Sequence, residues 1–336
     1  MESFRRPAAA LVAILMVLVA GCAKHAAPAA PTGGLTVVTL QANWYAEAEY
    51  GGYYQAVAKG FYREAGLDVR IIQGGPGAYP VQKVATSQVQ FGLARSDDLI
   101  LAAQEKLPVV MLSAQLEHDP QVIMVHAESP VRGFADLDGK GIMAEPGSAW
   151  ISFLQRKYKI RINTIPENYE IAQFMADKNF LQQGFLTNEP FVFQQHHVAT
   201  RTLLIADSGY DPYRVLFSNL TYVREHPEIV RAFIQASIRG WHDYLEGDPA
   251  PGEALITRDY AESTPAVLAF ARTQLKQFHI AAGDPAKGEQ AGLITRSRLA
   301  EQIAILTDLG LVTTPLTVEQ VATFDFLPPE LQALAK

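Results

Sequence analysis

The chain carries a single cysteine, Cys22, in 336 residues, so no disulfide can form within it and stability must come from core packing. It also lacks a lysine–arginine cluster. Its 28 basic and 35 acidic side chains leave a net charge of -7, which argues against nucleic acid as a partner. No Ser/His/Asp order, HExxH, Walker loop or CxxC occurs, so nucleophilic, zinc and nucleotide chemistry have no anchor. Gly74-Gly75-Pro76-Gly77 is not followed by the Lys-Ser/Thr that a phosphate loop requires. His196 and His197 are neighbours on a helical stretch, diverge by about 100° and cannot chelate one metal together. No cofactor or metal is expected.

What is present begins with Arg5, Arg6 and an apolar run from Ala8 to Ala20, closing on Val19-Ala20-Gly21-Cys22. This pattern reads as a lipoprotein signal peptide over residues 1–21, with lipid on Cys22 and an Ala/Pro tether over 22–34. A single-pass anchor is the alternative, but the run falls short of the roughly 20 apolar residues a span needs. Loss of Glu2, Arg5 and Arg6 removes a net +1 and takes the charge from -7 to -8. The expected location is the periplasm, lipid-anchored to a bacterial membrane. With 49% hydrophobic residues, the remaining length suffices for one large or two ordinary domains.

From Leu35 the chain alternates short apolar runs with helical stretches. Strand Leu35 to Leu40, a polar loop, a helix from Gly52 to Ala65 and the alternation of Leu67, Val69 and Ile71 make a βαβ opening, with Gly66 as a C′ glycine. Further strands are expected at Val89 to Leu93, Pro108 to Ser113, Gly141 to Ala144, Ile162 to Ile165 and Phe185 to Thr187. Helices are expected at Asp97 to Glu105, Ser148 to Lys157 and Tyr169 to Asp177. A later block from Pro227 to Tyr244 has Pro227 at the first helical position, and Thr317 to Gln320 forms a capping box.

Gly60-Phe61-Tyr62-Arg63-Glu64-Ala65-Gly66-Leu67-Asp68-Val69, Gln90-Phe91-Gly92-Leu93, Asp136-Leu137-Asp138-Gly139-Lys140-Gly141-Ile142 and Thr187-Asn188-Glu189-Pro190 occur in that order. Together they resemble the ABC-transporter periplasmic substrate-binding proteins for nitrate, taurine, alkanesulfonates and thiamine-precursor pyrimidines, over roughly residues 35 to 245. The resemblance implies an α/β fold of the periplasmic-binding-protein type 2 kind: two lobes of mixed, mainly parallel sheets with a central cleft and a hinge. Lobe 1 is expected to comprise residues 35–120 and 221–336, and lobe 2 residues 121–220. Crossovers are expected near Leu116 to Val125 and Leu216 to Val223. Ligands of open α/β sheets bind at strand ends, and hinge closure around a solute is the implied mechanism.

The residues placed after strands make an aromatic and acidic set: Trp44, Glu47, Tyr50, Gly51, Gly52, Tyr79, Ser96, Glu145, Ser148, Asn188 and Glu189. Sulfonate or nitrate would need donors and positive charge, whereas a carboxylate beside it would repel. Rings stack on a flat heterocycle and a carboxylate accepts from an exocyclic amine. Trp44 is either a stacking platform or a hydrophobic staple, and Glu189 either a ligand contact or a helix cap. In an extended loop only one of Glu47 and Glu49 can point inward. Gly51-Gly52 would bare backbone N–H groups to a ligand. Arg95 either pairs with Asp97 or Asp98 or meets an anionic group.

The leading reading is a monomeric, non-enzymatic, lipid-anchored solute-binding protein that serves ABC permease and ATPase subunits. Its solute would be a small aromatic heterocycle such as a thiamine-precursor pyrimidine. A sulfonate, taurine or nitrate binder is the rival within the class. From another class come a ligand sensor for a membrane signalling partner and a pyrimidine-synthesising enzyme. The eukaryotic branch that makes this pyrimidine uses a cysteine-rich motif, which Cys22 alone does not supply.

Overall fold

Strand and helix alternate from Thr36 onwards in the computed structural model, which describes residues 34–336. Cys22 and the stretches expected to be a signal peptide and a tether, up to residue 33, lie outside the described residues. Ten strands are described, in chain order: β1 (Thr36–Gln41), β2 (Leu67–Ile72), β3 (Phe91–Arg95), β4 (Val109–Leu116), β5 (Gln121–His126), β6 (Gly141–Ala144), β7 (Asn163–Pro166), β8 (Leu181–Phe185), β9 (Thr200–Leu204) and β10 (Arg214–Asn219). They form two five-stranded sheets, ordered β2-β1-β3-β10-β4 and β7-β6-β8-β5-β9.

The two sheets share one plan. Each has a parallel trio, β2-β1-β3 or β7-β6-β8, followed by one antiparallel strand and a fifth strand beyond it. The antiparallel strand is in each case the one that arrives from the other lobe: β5 follows the first crossover and β10 the second. Both crossovers are short and lie in residues 117–120 and 205–213. The second differs from the expectation near Leu216 to Val223, and residues 214–219 belong to lobe 1, not lobe 2. The reason is pairing: Leu216 faces Leu93 on one side and Ser113 on the other, and no local pattern reveals those distant partners.

The helix expected over Gly52 to Ala65 is interrupted. A 3-10 turn at Ala48–Tyr50 leads into a helix at Gly51–Ala58, and Gly60 breaks it by taking a left-handed φ of 76° before the short helix Phe61–Glu64. Gly66, at φ 80°, turns the chain into β2 as expected of a C′ glycine. Helix Pro227–Glu246 returns to lobe 1 and packs along Gly51–Ala58. A Cβ on Gly51 would overlap the Tyr244 ring, one on Gly52 the Trp241 ring, and one on Gly240 the carbonyl oxygen of Gly52. Close approach of two helices therefore accounts for both glycines, and the Gly51 N–H, expected to face a ligand, is instead taken by Ala48 O within the helix start. The C-terminal chain also stays on lobe 1, where Thr323 N–H donates to Met111 O at 3.0 Å and Gln302 meets Ser96. The capping box at Thr317 is formed, with Thr317 N–H on Gln320 Oε1 at 2.8 Å.

Candidate functional site: an acidic and aromatic cleft between the lobes

The loop after β1 carries the lobe 1 residues that meet lobe 2 and is held from behind. Gly74 N–H donates to Trp44 O at 2.7 Å, Gly75 N–H to Asn43 O at 3.4 Å, and a Cβ on Gly74 would overlap the Asn43–Trp44 backbone. These glycines spend their N–H groups on the loop that presents Trp44. The chain is extended at Glu47 and then enters the 3-10 turn, so Glu47 and Glu49 do not follow strand alternation. Both meet lobe 2: Asn188 Nδ2 donates to Glu47 Oε1 at 3.3 Å, and Thr187 Oγ1 donates to Glu49 Oε1. The expectation of one inward and one solvated carboxylate is corrected by this turn.

Electrostatics at this contact are dominated by carboxyl groups. Burial, with Glu49, Glu189 and Glu262 close by, holds the Glu47 carboxyl well above the usual range. Burial also raises Glu49, against the lowering effects of Thr187 and the Arg214 charge. Burial pushes Glu189 up to about 7, although Phe185 N–H donates to its Oε2 at 2.6 Å. Glu189 thus stands at the start of helix Glu189–Gln195 yet reaches back to the strand, which is more than capping. Tyr50 is buried, donates to Asn43 Oδ1 at 2.9 Å, and is kept neutral by burial and by Glu47 and Glu49.

Aromatic rings frame the carboxyls. Trp44 is half-buried; its ring centroid lies 5.0 Å from that of Tyr169 in lobe 2 and 5.2 Å from Tyr45. Tyr45 stacks on Tyr260 at 4.7 Å with planes 9° apart, and the Tyr260 hydroxyl donates to Glu262 at 2.6 Å. Phe191 of lobe 2 meets Phe270 of lobe 1 at 5.2 Å. The Trp44 ring thus lies against Tyr169 of the opposite lobe, tilted by 43°, and also packs against the hydrophobic core.

Both nearby arginines are engaged. Arg95 lies 3.3 Å from Asp97, 3.0 Å from Asp98 and 3.8 Å from Glu145, and Arg214 lies 3.0 Å from Asp119. Four expected site residues stand apart from the carboxyl group cluster. Ser96 is fully buried and donates to Gln302 Oε1, because the start of helix Ser96–Gln104 packs on the C-terminal chain. Tyr79 is 66% exposed on the surface, at a left-handed φ of 46°. Ser148 is buried and turns its hydroxyl onto Glu145 O at 2.9 Å. Glu145 is exposed and crosses the lobes only to Arg95. Sequence reasoning missed Tyr45, Tyr169, Thr187, Tyr260 and Glu262. Tyr-x-Glu just beyond helix Ala250–Asp259 carries no periodic signal, and only the fold brings Tyr260 to Tyr45 and Glu262 to Glu47.

The profile of the NMT1/THI5-like family matches residues 47–250, which takes in both crossovers and all of lobe 2 and begins three residues after Trp44. The chain belongs to the NMT1/THI5-like family. Within reach of this membership, it is 26% identical over 307 residues to the riboflavin-binding protein RibY of Chloroflexus aurantiacus, covering 88% of this chain and 87% of that one. It is 24% identical over 269 residues to the formylaminopyrimidine-binding protein of Halalkalibacterium halodurans, covering 76% and 78%. A yeast 4-amino-5-hydroxymethyl-2-methylpyrimidine phosphate synthase, THI11 of Saccharomyces cerevisiae, is 23% identical over 66% of this chain and 74% of its own. The fold is that of the periplasmic binding proteins. It superposes on the alkanesulfonate-binding protein SsuA from Xanthomonas axonopodis at a TM-score of 0.63 with 12% identity, covering 87% and 99% of the chains. The nitrate-binding protein NrtA from Synechocystis gives 0.64 with 14% identity, covering 89% of each.

Proposed function

We propose that this NMT1/THI5-like protein is the solute-binding component of an ABC importer and captures a flat, amine-bearing nitrogen heterocycle of the thiamine-precursor pyrimidine or similar vitamin kind. The observation that carries the reading is a group of carboxyls raised by desolvation, the buried Glu49 and the half-buried Glu47 and Glu189, on the loop and strand end where Trp44 meets lobe 2, while Arg95 and Arg214 are already neutralised by acids. A carboxylate accepts from an exocyclic amine, and a carboxyl kept protonated near neutral pH both donates and accepts. An aminopyrimidine edge offers an acceptor nitrogen beside a donor amine and so complements such a group. A sulfonate or nitrate entering the same cleft would face buried acids without an uncommitted cation.

The relatives whose names describe binding align over 88% and 76% of this chain, and the synthase over 66%, which favours capture over chemistry. Lipid on Cys22, a periplasmic location, a monomeric state and permease and ATPase partners belong to the same reading. Thermal shift against 4-amino-5-hydroxymethyl-2-methylpyrimidine, riboflavin, taurine, an alkanesulfonate and nitrate tests it. A rise with a heterocycle is expected. A rise with an anion alone overturns it. Trp44→Ala should weaken heterocycle affinity at least tenfold, since stacking and burial of the ring are both lost.

A further inference from the structure

Tyr169 is the residue that the proposed solute reading leaves unused. The helical pattern places it inside a helix beginning there, yet the helix starts only at Ala172, and Tyr169 sits at a left-handed φ of 61° in the loop between β7 and that helix. Left-handed backbone is uncommon for a bulky aromatic residue and is retained where surrounding structure imposes it. Here the loop imposes it: Glu167 N–H donates to Ala144 O at 3.1 Å, Tyr169 N–H to Glu167 Oε1 at 2.9 Å, and Glu170 N–H to Asn168 Oδ1 at 2.9 Å. Ile165 and Ile171 pin the two ends of the loop on the core. The tip is then free to carry a ring that is 54% exposed, large for an aromatic side chain with no packing role in lobe 2.

That ring reaches across the lobes to Trp44, tilted by 43° at a centroid distance of 5.0 Å. Two aromatic rings that hold a third between them need about 7 Å, because each stacked pair sits about 3.5 Å apart. The present separation fits direct contact. A tip loop tied at both ends, and not a core element, is what can give the missing distance of about 2 Å.

We propose that Tyr169 is the lobe 2 half of an aromatic clamp, with Trp44 as the lobe 1 half, so that a planar solute ring enters between them and is covered on both faces. This rests on the heterocycle reading of the cleft and deepens it. The clamp selects for two-faced planarity: a pyrimidine or an isoalloxazine uses both halves, and an alkyl or tetrahedral solute uses neither. It also couples capture to lobe closure, because the second ring arrives only with lobe 2.

Tryptophan fluorescence tests this directly, because Trp150 and Trp241 are fully buried and Trp44 alone is half-exposed. Titration with 4-amino-5-hydroxymethyl-2-methylpyrimidine and with riboflavin, taurine serving as the non-planar control, compares wild type with Tyr169→Ala and Tyr169→Phe. Tyr169→Ala should weaken binding of the heterocycle about tenfold, Tyr169→Phe less than about threefold, and acrylamide should quench Trp44 more readily in Tyr169→Ala without solute. Far-ultraviolet dichroism and the melting temperature of the solute-free variants confirm that each is folded. A wild type that binds a heterocycle while Tyr169→Ala binds it equally or more tightly overturns the clamp and spares the cleft reading. A wild type that binds no heterocycle overturns both.

Discussion

His118 and Asp211 join the two crossovers, with Nδ1 of the histidine 2.6 Å from Oδ2 of the aspartate. The other ring nitrogen faces Glu289 Oε2 at 3.0 Å, and Arg298 Nη2 reaches the same Asp211 oxygen at 2.9 Å. An imidazole flanked by two carboxylates donates from both nitrogens and is favoured as the cation. Burial opposes that charge and Arg298 repels it, but the hydrogen bond and charge of Asp211, with Glu289, outweigh both and raise His118 above its ordinary value.

The sign of its pH dependence follows. A raised histidine stabilises the fold fully below its unfolded value, about 6.5, and the contribution is lost as pH rises through the folded value. Asp211, held low chiefly by His118 and Arg298 against burial, contributes above the ordinary aspartate range and is lost in acid. His118→Gln should therefore cost about 1.5–3 kcal/mol at pH 5.5, and the gap to wild type should shrink at pH 9. Urea denaturation at the two values measures it. An equal gap at both would remove the charged pair as its source.

Glu189 has a folded value of about 7, against an ordinary glutamate value near 4.3. Its contribution is present in acid and lost as pH rises from the unfolded to the folded value. Glu189→Gln removes the ionisation and keeps the shape. Relative to the variant, wild type should lose about 2–4 kcal/mol of stability between pH 4.5 and 8. Parallel stability curves for the two proteins would contradict this.

Gly240→Ala places a methyl group against the carbonyl oxygen of Gly52 and beside Ala56. Neither neighbour is the end of a flexible side chain, so the helices must separate. A loss of at least about 2–3 kcal/mol is expected in equilibrium unfolding, with solute affinity of the folded fraction within about twofold of wild type. A neutral change in stability would show that the helix pair yields more easily than its packing indicates.

Arg95→Gln separates support from recognition. Asp97 is buried, accepts from Tyr210 at 2.6 Å, and has Arg95 as its opposing charge, so removing the guanidinium should cost about 3–5 kcal/mol. Heterocycle affinity measured by calorimetry at low temperature should change little. Unaltered stability with lost binding would instead place Arg95 on the solute.

Much of the fold was legible because its signals are local. Gly66 after an amphipathic run, Pro227 at a helix start and the Thr317 capping box each act within a few residues, and each formed. Trp44, Glu47 and Glu189 were legible as residues at strand ends because they follow strands in a polar context, and the fold gathers them where the lobes meet. What failed to show depended on distant partners. Gly51 and Gly52 are explained by Tyr244 and Trp241, Ser96 by Gln302, and the lobe of β10 by β3 and β4. Glu49 was misread for a local reason, since a three-residue 3-10 turn looks like extended loop in composition. Tyr169 was misread because helical apolar spacing continues into its loop, while its left-handed φ of 61° stops the helical turn until Ala172.

The order of strands in lobe 1 also governs how the chain must be made. β10 lies between β3 and β4, so from residue 116 onwards β3 is paired only with β1 and β4 has no sheet partner until residue 219 is available. All of β5 to β9 is synthesised in that interval and can complete its own sheet first. The lobe begun first is thus the last to finish, with a stave missing between its central strand and its edge until the chain returns from the other lobe.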